Sequence, residues 1–312
     1  MPLLHETEDY AVLIEVVAGE MAIDPALVEK DYWIMHVLWG LQQLGMAFEL
    51  KGGTSLSKGY GLIDRFSEDI DILIHPNHPV PTGRNHTKPA HIDQRRAFFD
   101  GLAPQLAIPG IVEVLRDHAF DNDRLFSAGI RLIYPELTPL PQGVKAGVLL
   151  EAGFDQVSPN APRLISSWVW DRASAAGLEG LMDNRAVDAR CYDPGYTLVE
   201  KLQTISTKYR RQQASGDMPT NFMRHYYDVY CLLADEQVLG FIGSDAYLDH
   251  KRRRFPAGDE PVLRNNPAFT LEDPATRRRY VEAYDLTRAL YYREQPSLDA
   301  ILARLDAHLD TM

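Results

Sequence analysis

Residues 48–75 read FELKGGTSLSKGYGLIDRFSEDIDILIH. Phe48-Glu49-Leu50 has the character of a short strand. Lys51-Gly52-Gly53-Thr54-Ser55 is a glycine turn opening into a helix. Ser67 to Ile74 predicts a strand with carboxylates at alternate positions. Successive strand side chains point to opposite faces, so Asp69 and Asp71 share one face while Ile70 and Ile72 share the other. Two adjacent carboxylates repel unless a cation lies between them, and a hard divalent cation, Mg²⁺ above all, takes oxygen ligands and keeps substrate phosphates in its shell. Backbone N–H groups at a helix start attract anions, and glycine lets a phosphate approach closely. A phosphate cradle beside a metal-binding Asp-x-Asp strand is equipment for phosphoryl or nucleotidyl transfer.

The order strand, Gly52-Gly53, helix, Asp69-x-Asp71 resembles the signature of the DNA polymerase β-like nucleotidyltransferase superfamily. Lys51 to Leu56 together with Arg65-Phe66-Ser67-Glu68-Asp69-Ile70-Asp71 is similar, more narrowly, to the AbiEii/AbiGii toxins of bacterial toxin–antitoxin and phage-exclusion systems, the group that includes the MenT toxins. Val28-Glu29-Lys30-Asp31-Tyr32-Trp33 resembles that family's N-terminal helix, and Arg224 to Tyr230 its late helical motif.

The resemblance implies an α/β (α+β) protein. A polymerase β-like nucleotidyltransferase domain with a mixed sheet and N-terminal helices would span 1–195. A helical C-terminal domain over 196–312 would complete the site. It implies transfer of NMP from an NTP to RNA, with the tRNA 3′ end as acceptor and a block of translation as the outcome. Asp69 and Asp71 would hold Mg²⁺, with Glu151 assisting. Gly52, Gly53, Thr54 and Ser67 would cradle the triphosphate. Lys201 matches a family lysine that grips nucleotide phosphates, and Asp228 matches an aspartate that acts as a base or positions one. A cognate antitoxin from a neighbouring gene is the implied partner. Two other readings stay open: transfer to a protein or small-molecule hydroxyl, and a non-catalytic nucleotide-binding module.

Elsewhere the residues speak for themselves. The chain of 312 residues, 45% hydrophobic and 24% charged, suffices for one large core or two modest ones. No apolar run reaches membrane-spanning length, and the N-terminus lacks a basic start and an apolar segment, so a cytoplasmic protein with no membrane partner is expected. Cys191 and Cys231 have no metal-ligand spacing and read as free buried thiols. A net charge of −12 argues against a protein coated with nucleic acid but leaves room for a local basic groove.

Helices are expected over residues 6–21, from Pro25 to Leu44 with Asp24 as cap, and over 91–106. On the second of these, spacing alone favours a solvated face for Glu29, Lys30 and Asp31. Residues 75–91 are a loop by composition. Its four histidines fit no compact zinc pattern, and Arg84 and Lys88 would reach phosphates if it covered the nucleotide. Strands follow at 111–115, 126–134, 144–154, 163–170 and 186–192. Glu151, inside an apolar strand, is either a third carboxylate of the site or an edge glutamate facing water. Asp193-Pro194-Gly195 reads as a turn, and Thr197 with Glu200 as a capping box. Lys201 then falls in a first helical turn, where a cation opposes the macrodipole. Thr220 or Asn221 would cap a helix over 222–233, on which Arg224 and Asp228 are spaced to pair. Helices over 238–247, 274–293 and from Ser297 complete the chain. Lys251 to Arg254 and Arg277 to Arg279 are basic clusters that could face RNA or simply solvent.

Overall fold

The computed structural model describes residues 1–83, 85–141, 144–155, 158–219 and 221–312. Arg84 and Thr220, for which a phosphate contact and a helix cap were expected, lie outside the described residues. The chain forms two compact units, one of Met1–Tyr60 with Ser67–Tyr192 and one of Gly61–Phe66 with Asp193–Met312.

The first unit is a mixed α/β layer structure. Helices α1 (Asp9–Met21) and α2 (Pro25–Gln43) precede strand β1 (Phe48–Lys51), the short helix α3 (Gly52–Thr54) and strand β2 (Asp69–Ile74). Then come α4 (Pro89–Leu102), β3 (Glu113–Asp117), β4 (Ser127–Ile133), β5 (Val148–Gly153), β6 (Asn160–Ile165), α5 (Trp168–Ala175) and β7 (Ala186–Tyr192). The seven strands make one sheet in the order β3-β4-β5-β2-β1-β7-β6. β2 runs parallel to β5 and β1 parallel to β7, while the remaining neighbours are antiparallel. One sheet face is a continuous apolar layer: Leu50, Ile70, Ile72, Ile130, Leu150 and Ala152 are all fully buried.

Helix α2 is buried on every side, packs on β2, β5 and β7, and carries a polar network within the core. The His36 Nε2–H donates to the Pro109 carbonyl at 2.8 Å, and Nδ1 accepts from the Asn184 amide at 3.0 Å. That amide also reaches the Tyr32 hydroxyl, 2.8 Å from His5 Nδ1. Burial lowers the His36 pKa from 6.5 to about 4. The unfolded chain therefore takes up this proton near pH 6.5, while the folded chain resists it until about pH 4. The associated stability is complete above 6.5 and is lost as pH falls toward 4, by up to about 3 kcal/mol. Urea unfolding between pH 7.5 and 4.5 checks this: wild type should lose more stability than His36→Gln, and parallel curves would contradict it.

The second unit is helical: α6 (Pro194–Ser215), α7 (Arg224–Leu232), α8 (Glu236–Phe241), α9 (Asp245–Arg254), α10 (Pro267–Thr270), α11 (Pro274–Asp285) and α12 (Leu298–Asp306). The segment Gly61–Phe66 is threaded into it. Phe66 N–H donates to Leu290 O at 2.7 Å, Asp64 N–H to the Tyr227 hydroxyl at 3.2 Å, and the Tyr292 hydroxyl to Ile63 O at 3.1 Å.

Several boundaries differ from those the sequence suggests, each for a local reason. Trp168 to Trp170 are helical, because the Ser167 hydroxyl accepts from Trp170 N–H and starts α5. Asp193-Pro194-Gly195 is the start of α6, not a turn: Asp193 accepts from the N–H groups of Gly195 and Tyr196, with Pro194 in the first position. Thr197 and Glu200 are thus no capping box, and Lys201 falls in the second turn. The helix expected over 238–247 breaks at Gly243, whose φ is +79°, and restarts with Ser244 as cap.

Candidate active site

The expected carboxylates share the sheet face opposite the apolar layer. The register aligns Lys51 of β1, Asp71 of β2, Glu151 of β5 and Gly129 of β4 in one row. Asp69 lies two residues from Asp71 on the same face, and all three carboxylate residues are partly exposed. The diglycine turn follows Lys51 directly, with Gly52 at a φ of +72°. A Cβ built there would stand 2.2 Å from Asp71 Oδ2. The Asp71 carboxylate therefore rests against the Gly52 backbone, an approach that only glycine allows. Gly53 and Thr54 are buried behind it, and the Thr54 hydroxyl donates to the Asp69 carbonyl at 2.7 Å. Its side chain thus ties the turn to the carboxylate strand. Ser67 stands half-buried two residues ahead of Asp69. In Gly52→Ala the positive φ would cost about 1–2 kcal/mol, and the displaced carboxylate should lower turnover by about 10². Steady-state kinetics with a melting curve would check both.

Glu29, Lys30 and Asp31 do not form a solvated face. They are 1%, 1% and 2% exposed, and each is satisfied by a different segment. Glu29 accepts from the N–H groups of Leu137 and Thr138, and Lys30 donates to Lys145 O. Asp31 accepts from Trp168 N–H at 2.9 Å and pairs with Lys58 at 2.7 Å. Lys58 lies in the π-helical turn Ser55–Gly59 that continues the diglycine helix, so Asp31 anchors the glycine turn to α2. Burial lowers the Lys30 pKa, opposed by the negative charges of Glu68 and Asp69, so its charge acts on the carboxylate strand. Sequence spacing hid this, because each of the three side chains has a partner more than a hundred residues later, Asp31 having Lys58 as well.

In the second unit Asp228 is fully buried. Arg65 grips it with two hydrogen bonds, Nε to Oδ1 at 2.6 Å and Nη2 to Oδ2 at 2.8 Å. Lys201 Nζ lies 2.9 Å from the same Oδ2. Burial alone would raise this carboxyl's pKa, but the Arg65 and Lys201 charges outweigh it and hold it well below the usual carboxylate range. Lys201 therefore has an ion-pair partner that the sequence did not reveal, and Asp228 pairs with Arg65 rather than simply along its own helix with Arg224. Both Asp228 oxygens are engaged by cations, Oδ1 by Arg65 and Oδ2 by Arg65 and Lys201. His225, nearby on α7, has its pKa lowered by burial and then by the Lys201 and Lys208 charges.

The fit to Mg²⁺ rests on Asp69, Asp71 and the Gly52 contact. Among the described residues no three His, Cys, Asp or Glu side chains are gathered to hold a metal. Glu151 shares the row but builds no three-carboxylate cage. Two carboxylates on one sheet face suit Mg²⁺, which binds through one or two carboxylates plus substrate. The basic clusters are largely internally paired: Arg253 with Asp249, Arg254 with Glu200, Arg277 with Asp299, and Lys251 donating to Met312 O. A cavity of about 920 Å³ that includes His75 and His78 lies at the other end of β1 and β2, without a lining carboxylate.

A mixed sheet carrying Asp-x-Asp beside a diglycine helix start has the makings of a nucleotidyl-transfer centre. The chain belongs to the AbiEii family, nucleotidyl transferase toxins of type IV toxin–antitoxin systems, whose family model matches residues 36–304. Among solved structures it is similar to an antigenic nucleotidyltransferase-like protein from Paracoccidioides brasiliensis, at 17% identity and a TM-score of 0.35, over 72% of this chain and 87% of that one. No curated protein matches. Among the described residues no helix is long and apolar enough to cross a membrane.

Proposed function

We propose that this protein is a Mg²⁺-dependent toxin that transfers NMP from an NTP to RNA, with the tRNA 3′ end as acceptor and arrest of translation as the consequence. The observation that supports it is the Asp71 carboxylate set against Gly52 in a row with Lys51 and Glu151. Asp69 and Asp71 would hold the metal, which supplies charge neutralisation at the α-phosphate and the departing pyrophosphate. Backbone N–H groups of Gly52, Gly53 and Thr54 orient the triphosphate at the start of α3, with Ser67 beside them. Lys201 makes a phosphate contact, its Nζ fixed by Asp228. Glu151 completes the acidic row. An antitoxin encoded beside this gene restrains the activity, and the protein works in the cytoplasm, where its RNA acceptor is.

The test is incubation of the purified protein with each α-³²P-NTP, Mg²⁺ and total tRNA, intact or periodate-oxidised. Label on intact tRNA only is expected. Label on protein or on small molecules instead would move the acceptor assignment to those hydroxyls.

A further inference from the structure

Arg95 of α4 is fully buried, and its partners among the described residues are backbone carbonyls. Nε donates to Arg124 O at 2.9 Å, Nη1 to Pro81 O at 2.5 Å, and both Nη groups to His86 O at 3.1 Å. The guanidinium carbon lies 4.1 Å from the Phe126 ring centroid. A buried charge without a counter-ion is costly, and here its rigid fork of donors fixes two segments at once, the loop around Pro81 and the turn Asn122–Phe126.

Those segments wall a cavity of about 530 Å³, within the range of small-molecule sites. Its lining includes Lys51, Leu73, Thr82, Asn122, Phe126, Ser127 and the carboxylate residue Asp155. Lys51 is the register partner of Asp71. Leu73, Gly153 and Ser127 form the next row on the same sheet face, two residues from Asp71, Glu151 and Gly129, a step of about 7 Å. The diglycine turn leaves β1 at the Asp69 end of the pair, and the cavity lies toward Leu73. A triphosphate over the turn would thus carry its nucleoside toward the cavity. Asn122 Oδ1 accepts from the N–H groups of Arg124 and Phe126, which fixes the carboxamide and leaves its NH₂ to donate.

We propose that this cavity is the nucleoside pocket, in which Phe126 contacts the base, Asn122 donates to an acceptor on its edge, and Arg95 is the positioning residue that holds the walls. The proposal rests on the nucleotidyl-transfer reading.

Binding of the four NTPs and of inorganic tripolyphosphate, measured with the full chain as wild type and Ser127→Phe, separates the two ideas. Wild type should bind both ligand types. Ser127→Phe, which fills the pocket, should bind its NTP at least about tenfold more weakly and tripolyphosphate equally well. Arg95→Met should raise KM with kcat nearly unchanged. If its melting curve shows it unfolded, Asn122→Ala takes its place with the same expectation. Unchanged NTP binding in Ser127→Phe, or loss of tripolyphosphate binding in a folded Ser127→Phe, overturns the pocket and leaves nucleotidyl transfer standing. Failure of wild type to bind either ligand overturns the transfer reading, and the pocket with it.

Discussion

Asp71→Asn should abolish nucleotidyl transfer, by about 10³-fold or more, and leave the melting temperature unchanged or higher. The amide is nearly isosteric with the carboxylate that rests on Gly52, so the fold keeps its packing. What disappears is a negative ligand in a site where developing charge must be neutralised, and single preorganised electrostatic contacts are worth about 10²–10³ in turnover. Loss of a metal ligand adds to that. Removing one of two neighbouring carboxylates also relieves repulsion in the free protein, which gives the direction of the stability change. Asp69→Asn should abolish transfer alike. Kinetics and melting curves on the same samples check both parts. A variant that lost activity only because it unfolded would count against the assignment.

Asp228→Ala should be the most destabilising substitution in the helical unit, at about 3–5 kcal/mol. It strands Arg65, 5% exposed, and Lys201, 9% exposed, each without its counter-charge. It also loosens Gly61–Phe66, the segment that leads directly into Ser67 and Asp69. Asp228→Asn distinguishes positioning from base catalysis. A positioning carboxylate predicts partial loss of activity with the same dependence on pH, whereas a base predicts near-complete loss of turnover in a variant that stays folded. Chemical denaturation of both variants, with pH profiles of any residual activity, checks this.

The parts of the site legible in the sequence are those built from short-range pattern. Asp69-x-Asp71 declares its face through strand alternation, and Gly52-Gly53 its turn through the close approach that glycine permits. Glu151 falls in the acidic row because β5 runs parallel to β2, a register no local pattern encodes. Long-range partners were hidden for the same reason. Arg65 and Asp228 are 163 residues apart, and Lys201 looked unexplained only because its carboxylate lay on another helix. Glu29, Lys30 and Asp31 have the spacing of a solvated face and become core anchors through loops and turns from all over the first unit. The α6 boundary was misplaced because Asp193-Pro194 opens a helix as readily as it makes a turn.

The central claim is that Asp69 and Asp71, beside the diglycine turn, carry nucleotidyl transfer. Its most direct test is to supply the protein with one NTP labelled at either the α- or the γ-phosphate, with Mg²⁺ and RNA, and to follow label and pyrophosphate together. Wild type should place only the α-label on RNA, releasing one pyrophosphate per transfer, and Asp69→Asn should do neither. Transfer of the γ-label, or undiminished α-labelling by Asp69→Asn, would contradict the account.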